Sequence, residues 1–148
     1  MISFFVPGVP APGGSKRAFP HKNTGRIIVI DACKRNKEWR ETVALYARQE
    51  YKGEPIDGPL FLRVTFFMPR PKYHYGKGRN ADRLKGSAPK RWHTVKPDAT
   101  KLLRSTEDAL TDALIWHDDA QVVQQEVWKV YAERGREGAQ IEIRRVRE

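Results

Sequence analysis

The sequence predicts an α/β fold, one domain over 1–148 with a mixed β-sheet of four or five strands and two main helices. Three observations predict it. Residues 60–68 set Leu60, Leu62, Val64, Phe66 and Met68 against Phe61, Arg63, Thr65 and Phe67, the alternation of a central strand with one fully apolar face. Two other stretches, 31–51 and 98–114, place apolar residues at helical spacing, so each carries one buried stripe. A length of 148 residues is most economically one domain, long enough to bury a core.

Residues 2–6 read as a first strand, which Pro7, Pro10, Pro12 and Gly13-Gly14 end because proline cannot donate to a ladder. The loop then delivers Ser15-Lys16-Arg17. Segment 17–30 reads as a hairpin, with Asn23-Thr24-Gly25 as its turn and a β-branched return strand from Arg26. Its basic tip is either a projection toward a phosphate backbone or an ordinary β-ribbon with a wet end. From 31 to 51, Trp39, Val43, Tyr46 and Ala47 share a face, with Lys34, Arg35, Lys37, Arg40, Glu41 and Arg48 elsewhere, the pattern of a packing helix with a solvated charged side. A turn-rich break over 53–59 precedes the central strand. Further on, 121–131 reads as a strand, Arg134 to Gly138 as a turn, and 139–146 as a last strand through Ile141 and Ile143.

Lys and Arg number 28 against 18 Asp and Glu, a formal charge of +10 that points to a polyanionic partner, nucleic acid first. A membrane is excluded as a partner because there is no long apolar run and no basic amphipathic helix. The start, MISFFVPGVP, is too short an apolar segment for a signal peptide, so a cytoplasmic protein is expected. Cys33 is the single cysteine, which excludes an internal disulfide and a Cys-based zinc site and is expected to be a passive, partly buried residue. His21, His74, His93 and His117 share no metal-ligand spacing and are expected to be ordinary surface or loop residues, with His117 a minor candidate because it adjoins Asp118.

The surplus charge is concentrated in one place. Residues 69–95 form a basic insertion without helical or strand period, where Arg70, Lys72, Lys77, Arg79, Arg83, Lys85, Lys90 and Arg91 face Asp82 alone, a net +7. Tyr73, His74, Tyr75, Trp92 and His93 are interleaved with those charges. A mobile loop of this composition suits unpaired or distorted nucleic acid, since cations neutralise phosphates and aromatics stack on splayed bases. Lys16, Arg17, Arg70, Lys72, Arg79, Lys90, Arg91, Trp92, Lys96 and Lys101 are the candidate DNA-binding residues.

The stretch 96–121, KPDATKLLRSTEDALTDALIWHDDAQ, carries the chemistry. Asp98 and Thr100 have N-cap character, and Leu102, Thr106, Ala109, Leu110, Ala113 and Leu114 form one stripe. Asp98 thus marks the helix start, Asp108 and Asp112 a polar flank, and Asp118-Asp119 the boundary before the next strand. Hard divalent cations take oxygen ligands, usually one or two carboxylates with water and substrate phosphate. Asp98 and Asp118-Asp119 would supply them if the two ends of the helix region meet at one sheet edge; otherwise Asp98 caps the helix and the pair is a solvated turn.

The order Lys96-Pro97-Asp98, then Asp108-Ala109-Leu110-Thr111, then Trp116-His117-Asp118-Asp119-Ala120-Gln121-Val122-Val123 resembles the RusA family of Holliday junction resolvases, over about 28 residues. The family pattern is Asp-x-Asp-Asn at the helix start plus the second Asp of the DDAQ motif. Asp98 and Asp119 match its ends, Thr100 stands at the middle Asp, Lys101 at the Asn, and Arg104 at a Lys one turn on. The resemblance implies a homodimeric endodeoxyribonuclease, phage or prophage in type and active in a bacterial cytosol. It would resolve four-way junctions or related branched DNA with Mg²⁺, for which Mn²⁺ would substitute. Asp98 and Asp119 would hold the ion, with Asp118 a third ligand, and Arg104 would steady the scissile phosphate. Because a hydroxyl replaces a carboxylate at Thr100, a non-catalytic branched-DNA binder with a degenerate acidic site is the alternative, and Glu107 or Asp108 are candidates to supply the missing group.

Overall fold

The chain runs β1 (Ile2–Pro7), β2 (Lys16–Pro20), β3 (Ile27–Asp31), α1 (Asn36–Glu50), β4 (Leu60–Met68), α2 (Ala99–Asp112), β5 (Val122–Tyr131) and β6 (Gly138–Arg145). The computed structural model describes residues 1–13, 16–31 and 34–148, without the side chains of 16, 17 and 29–31. Cys33 and Ser15 lie outside the described residues. The strands form a four-stranded sheet in the order β1-β6-β4-β5 and a separate ribbon of β2 with β3, the hairpin expected over 17–30. Within the sheet β4 pairs parallel with β5, while β4 with β6 and β1 with β6 are antiparallel, so the sheet is mixed.

β4 is central, as its alternation requires. Val64 lies opposite Ile141 on one side and Val127 on the other. Leu60, Leu62, Val64 and Phe66 are fully buried under the helices, together with Val6, Ile141 and Ile143 from neighbouring strands. Both helices cover that face and leave the other open. Gly138 opens β6 opposite Pro7 and Phe67, where a Cβ would collide with the Val6 carbonyl and the Phe5 ring. Among the described residues no helix is long and apolar enough to cross a membrane.

The two helices are joined by polar contacts inside an apolar seam. The Trp39 indole N–H donates to Thr106 Oγ1 at 3.2 Å, and the Ser105 hydroxyl donates to Asn36 Oδ1 at 2.5 Å, all four residues being buried. The Gly13 N–H donates to the Lys101 carbonyl at 2.9 Å, tying the Pro/Gly segment to α2. Arg40, expected on a solvated face, instead meets Asp112 at 2.8 Å, and Arg48 donates to the Asp112 carbonyl at 3.0 Å. α1 begins at Asn36 rather than near 31 because Asp31 is taken by β3, paired with Lys16.

Three expectations are corrected. Leu114 is not part of the buried stripe: it is 63% exposed with φ +58°, in the turn that ends α2. Residues 69–95 are not structureless, since two 3-10 turns, Lys72–His74 and Gly78–Asn80, and bridges Tyr75 to Leu84 and Trp92 to Val130 fold them. His74 and His93 are buried, not surface residues, and both pack edge-on against Tyr131 at 5.0 and 4.9 Å between centroids. Burial pushes both imidazoles below their usual range, helped by Arg70 for His74 and by Lys129 for His93.

The helix end gives a paired stability test by urea unfolding. Leu110 is fully buried, so Leu110→Ala is expected to cost about 2–5 kcal/mol. Leu114→Gly removes left-handed strain at an exposed site and is expected to stabilise by up to about 1 kcal/mol. A large loss for Leu114→Gly would mean that Leu114 packs in the core after all.

Candidate active site

The turn joining α2 to β5 is built by the DDAQ motif. Asp118 caps a 3-10 turn, Asp119–Gln121, by accepting from the Ala120 N–H at 2.8 Å. Gln121 completes the box: its Oε1 accepts from the N–H groups of His117 and Asp118 at 2.8 and 3.1 Å. Its amide donates to the carbonyls of Ile56 and Gly58 at 2.8 and 3.0 Å. One glutamine therefore pins the turn to the segment that enters β4. Nearby, His117 Nε2 lies 2.8 Å from Asp57 Oδ1. Asp118 is first of all a cap, and Asp119, exposed beside it, is the carboxylate left to project.

The charges that act on Asp119 come from Asp118 in the same turn and Asp108 on α2. Burial comes first in raising the Asp119 carboxyl, followed by its hydrogen bond with Asp118 and the charges of Asp118 and Asp108. The Asp118 carboxyl is lowered, chiefly by the Ala120 N–H. Glu107 is pushed up to about 7, by burial first and then by the charge of Asp119, although the Gln125 amide donates to it. Asp119 and Glu107 are thus each raised in part by neighbouring carboxylate charge, across the turn that joins the end of α2 to β5.

Asp98 occupies the other end. It is the N-cap residue of α2 by backbone geometry but makes no side-chain cap bond. Its charged neighbours are Lys101, 3.9 Å away, and Lys129, which burial lowers and Asp98 raises. Lys129 Nζ donates to the carbonyls of Val95 and Pro97, each at 2.7 Å, fastening the helix start to β5. Nine residues of chain separate Asp98 from Glu107, about 13 Å of helix axis. The structure thus brings Asp119 to Asp118, Glu107 and Asp108, and gives Asp98 a separate basic setting.

Arg104 is exposed and stands three and four positions before Glu107 and Asp108, so all three are surface neighbours on α2. Thr100 lies one turn earlier on the same stripe. Glu107 is one of the two candidates the sequence offers for the carboxylate absent at Thr100, whereas Gln125 has no linear signal, because only the parallel strand beneath α2 sets it against Glu107. Lys129 was likewise invisible as a helix anchor, since nothing in a strand pattern marks what its outer end will touch.

The expected DNA-binding residues divide by environment. Arg70 is a loop clamp: it donates to the Pro89 and Lys90 carbonyls at 2.6 and 3.0 Å and lies 4.6 Å from the Tyr131 ring centroid. Lys72, Arg79, Lys90, Arg91, Trp92, Lys96 and Lys101 are exposed. Lys16 and Arg17 lie on β2, with their side chains outside the description. Arg134, unremarked in the sequence, closes the loop through Asp82 at 2.6 Å and the Tyr75 ring at 4.1 Å.

Divalent metal is the cofactor that donors of this chemistry suit. The site offers carboxylate oxygens alone, and Mg²⁺ usually takes only one or two of these, with waters and substrate phosphate completing its shell. Among the described residues no group of three or more His, Cys, Asp or Glu side chains is arranged as a ready-made metal cage.

Comparison with known proteins places the chain in a family. The chain is 34% identical over 137 residues, 91% of each chain, to YqaN of Bacillus subtilis strain 168, which is itself uncharacterized. The family described as Endodeoxyribonuclease RusA matches residues 7–144, a span that takes in β4, β5 and nearly all of β6, both helices, the basic loop and the DDAQ turn. With so much of its length covered, the chain belongs to the RusA family of Holliday junction resolving endodeoxyribonucleases.

Proposed function

We propose that this chain hydrolyses a phosphodiester in branched DNA with the help of Mg²⁺, for which Mn²⁺ substitutes. What supports this most is that Asp119 and Glu107 are both raised, first by burial and then in part by the charge of neighbouring carboxylates, a repulsion that a bound cation would relieve. Asp119 is the principal ligand. Glu107 stands in for the carboxylate absent at Thr100, since it lies about two turns along the same helix and faces Asp119. Asp118 holds the turn and would act as the third ligand beside Asp119. Asp98, beside Lys101 and Lys129 at the helix start, is too far along α2 to share that ion and would hold a separate one there, completed by water and substrate phosphate.

A bound Mg²⁺ supplies a Lewis acid that activates water and offsets charge building on the phosphate. The chain's own part is to hold that phosphate. Arg104 cannot shuttle a proton at neutral pH, so it acts as a fixed positive charge beside the scissile group. The exposed cations of the folded loop hold flanking phosphates. Cutting two symmetry-related strands of a junction requires two sites, so the working form is a two-fold homodimer.

Nicking of a synthetic four-way junction is expected with Mg²⁺ and absent in EDTA. Asp119→Asn and Asp98→Asn should each lower cleavage about a hundredfold or more, with junction binding in EDTA unchanged or tighter. Loss of binding instead would contradict a metal-ligand role. A chain that shifts the junction's mobility and never cuts it would be the non-catalytic binder.

Glu107→Gln tests the crowding through pH. Between the ordinary 4.5 and about 7 the folded chain keeps a proton on Glu107 that the unfolded chain has released. This group therefore favours the fold at low pH, and its contribution is lost as pH rises through that window. Thermal melts in EDTA should show the parent's midpoint falling relative to that of Glu107→Gln from pH 4.5 to 7. A difference that does not change with pH would contradict the assignment.

A further inference from the structure

The sheet face that the helices leave open carries an aromatic pair with no part in the acidic site. Of the four tryptophans, Trp39 and Trp116 are buried, whereas Trp92 and Trp128 keep 47% and 42% of their surface in solvent. The exposed two stack on each other, with ring centroids 5.7 Å apart and planes inclined by 25°. Trp128 stands on β5 opposite Thr65 of β4. Trp92 is fixed beside it on the outer edge of β5, where it bridges Val130. Flanking bonds hold that edge: the His93 N–H donates to the Lys129 carbonyl at 3.1 Å and the Tyr131 N–H to the Arg91 carbonyl at 2.8 Å. Neither ring hangs on a free loop.

The charges around the pair are sorted. Arg91 places its guanidinium 4.5 Å from the Trp92 ring centroid. Lys90, Arg91, Arg63 and Trp128 line an adjoining cleft of about 530 Å³. Among the described residues neither Lys90 nor Arg91 has a carboxylate partner. The two acids of this face, Glu126 and Glu142, are both engaged by Arg63, at 2.8 and 3.1 Å. Half-open indoles bordered by Arg91, which lies over Trp92, and by Lys90, whose Nζ donates to the Lys85 carbonyl at 3.2 Å, match an unpaired base with its phosphates, because the exposed Trp128 ring stacks on the base while the cations, which have no carboxylate partner, meet the backbone. Intact duplex keeps its base faces stacked inward and offers them nothing. A purely apolar partner surface would have no use for Lys90 and Arg91.

We propose that Trp92, Trp128 and Arg91 form a stacking seat for an unpaired nucleobase, with Lys90 and Arg91 meeting its neighbouring phosphates. This rests on the branched-DNA reading for the source of the base, a strand opened at the branch point. It also separates two tasks in space: cutting at the rim of α2, and sensing of unpaired strand on the opposite face of the sheet.

The test uses the full chain in EDTA, so that no turnover is needed, with an oligothymidylate of about 12 nucleotides and a blunt duplex of equal length as probes. The single strand is expected to quench tryptophan emission, since the two exposed indoles are those it reaches. Trp92→Ala and Trp128→Ala should each weaken its binding about 5- to 150-fold, while duplex affinity changes less than about twofold. Trp92→Phe, which keeps an aromatic face, should retain most of the affinity. Absence of quenching would overturn the seat, as would equal loss on both probes at unchanged melting temperature. Unchanged single-strand affinity with an altered sedimentation coefficient would overturn it in favour of a second copy of the chain covering this face. A chain that never nicks a junction yet binds oligothymidylate through Trp92 would keep the seat and lose the nuclease.

Discussion

Pairing β4 with β5 in parallel obliges the chain to travel back along the sheet before β5 can begin, and α2 is the return path. That one constraint sets the polarity of everything around the site. The start of α2 must lie over the outgoing end of β5, where Lys129 takes the Val95 and Pro97 carbonyls, and its end must lie near the beginning of β5, where Gln125 meets Glu107. Asp98 and Asp119, matched to the ends of one family motif, are thereby given different surroundings. One sits among lysines and the other among carboxylates.

The buried contacts between the helices make that placement rigid. Trp39 with Thr106 and Asn36 with Ser105 are polar pairs enclosed by apolar side chains, where an unpaired partner is costly and the geometry is correspondingly selective. With α2 fixed in rotation, Thr100, Arg104, Glu107 and Asp108 share its outer surface. The DDAQ turn is fixed independently through Gln121, so the position of Asp119 does not depend on loop flexibility. Basic charge is kept elsewhere, on a loop tied down by Arg70 from within and by Arg134 from beyond β5, which leaves Lys72, Lys77, Arg79 and Arg91 exposed.

Much of this was legible in the sequence, and the failures have physical causes. The alternation of 60–68 identified the central strand, and the period of α2 held from Leu102 to Leu110, because burial on one face is what both patterns encode. The pattern misled at Leu114, where an apolar residue continued the stripe on paper while the chain had already turned into a left-handed conformation. Composition misled over 69–95, since Pro, Gly, Lys and Arg say nothing of guanidinium-to-carbonyl bonds or of His74 and His93 closing on Tyr131. The motif residues Asp98 and Asp119 could be named from their order along the chain. That Asp119 faces Glu107 could not, because the neighbour is set by the register of β5 beneath the helix and by the capped turn, neither of which has a linear signature. Trp128 was hidden for a related reason: in a strand pattern it was one more apolar residue, and its exposure follows from the helices covering only one side of the sheet.

The central claim is that Asp119, fixed by the DDAQ turn against Glu107, anchors the cation. Anomalous diffraction from crystals of the chain with Mn²⁺ and a four-way junction would test it most directly. The account predicts an ion in coordination contact with an Asp119 oxygen, at about 2.1 Å, with Glu107 turned toward it. An ion held elsewhere, with Asp119 and Glu107 both uninvolved, would contradict it.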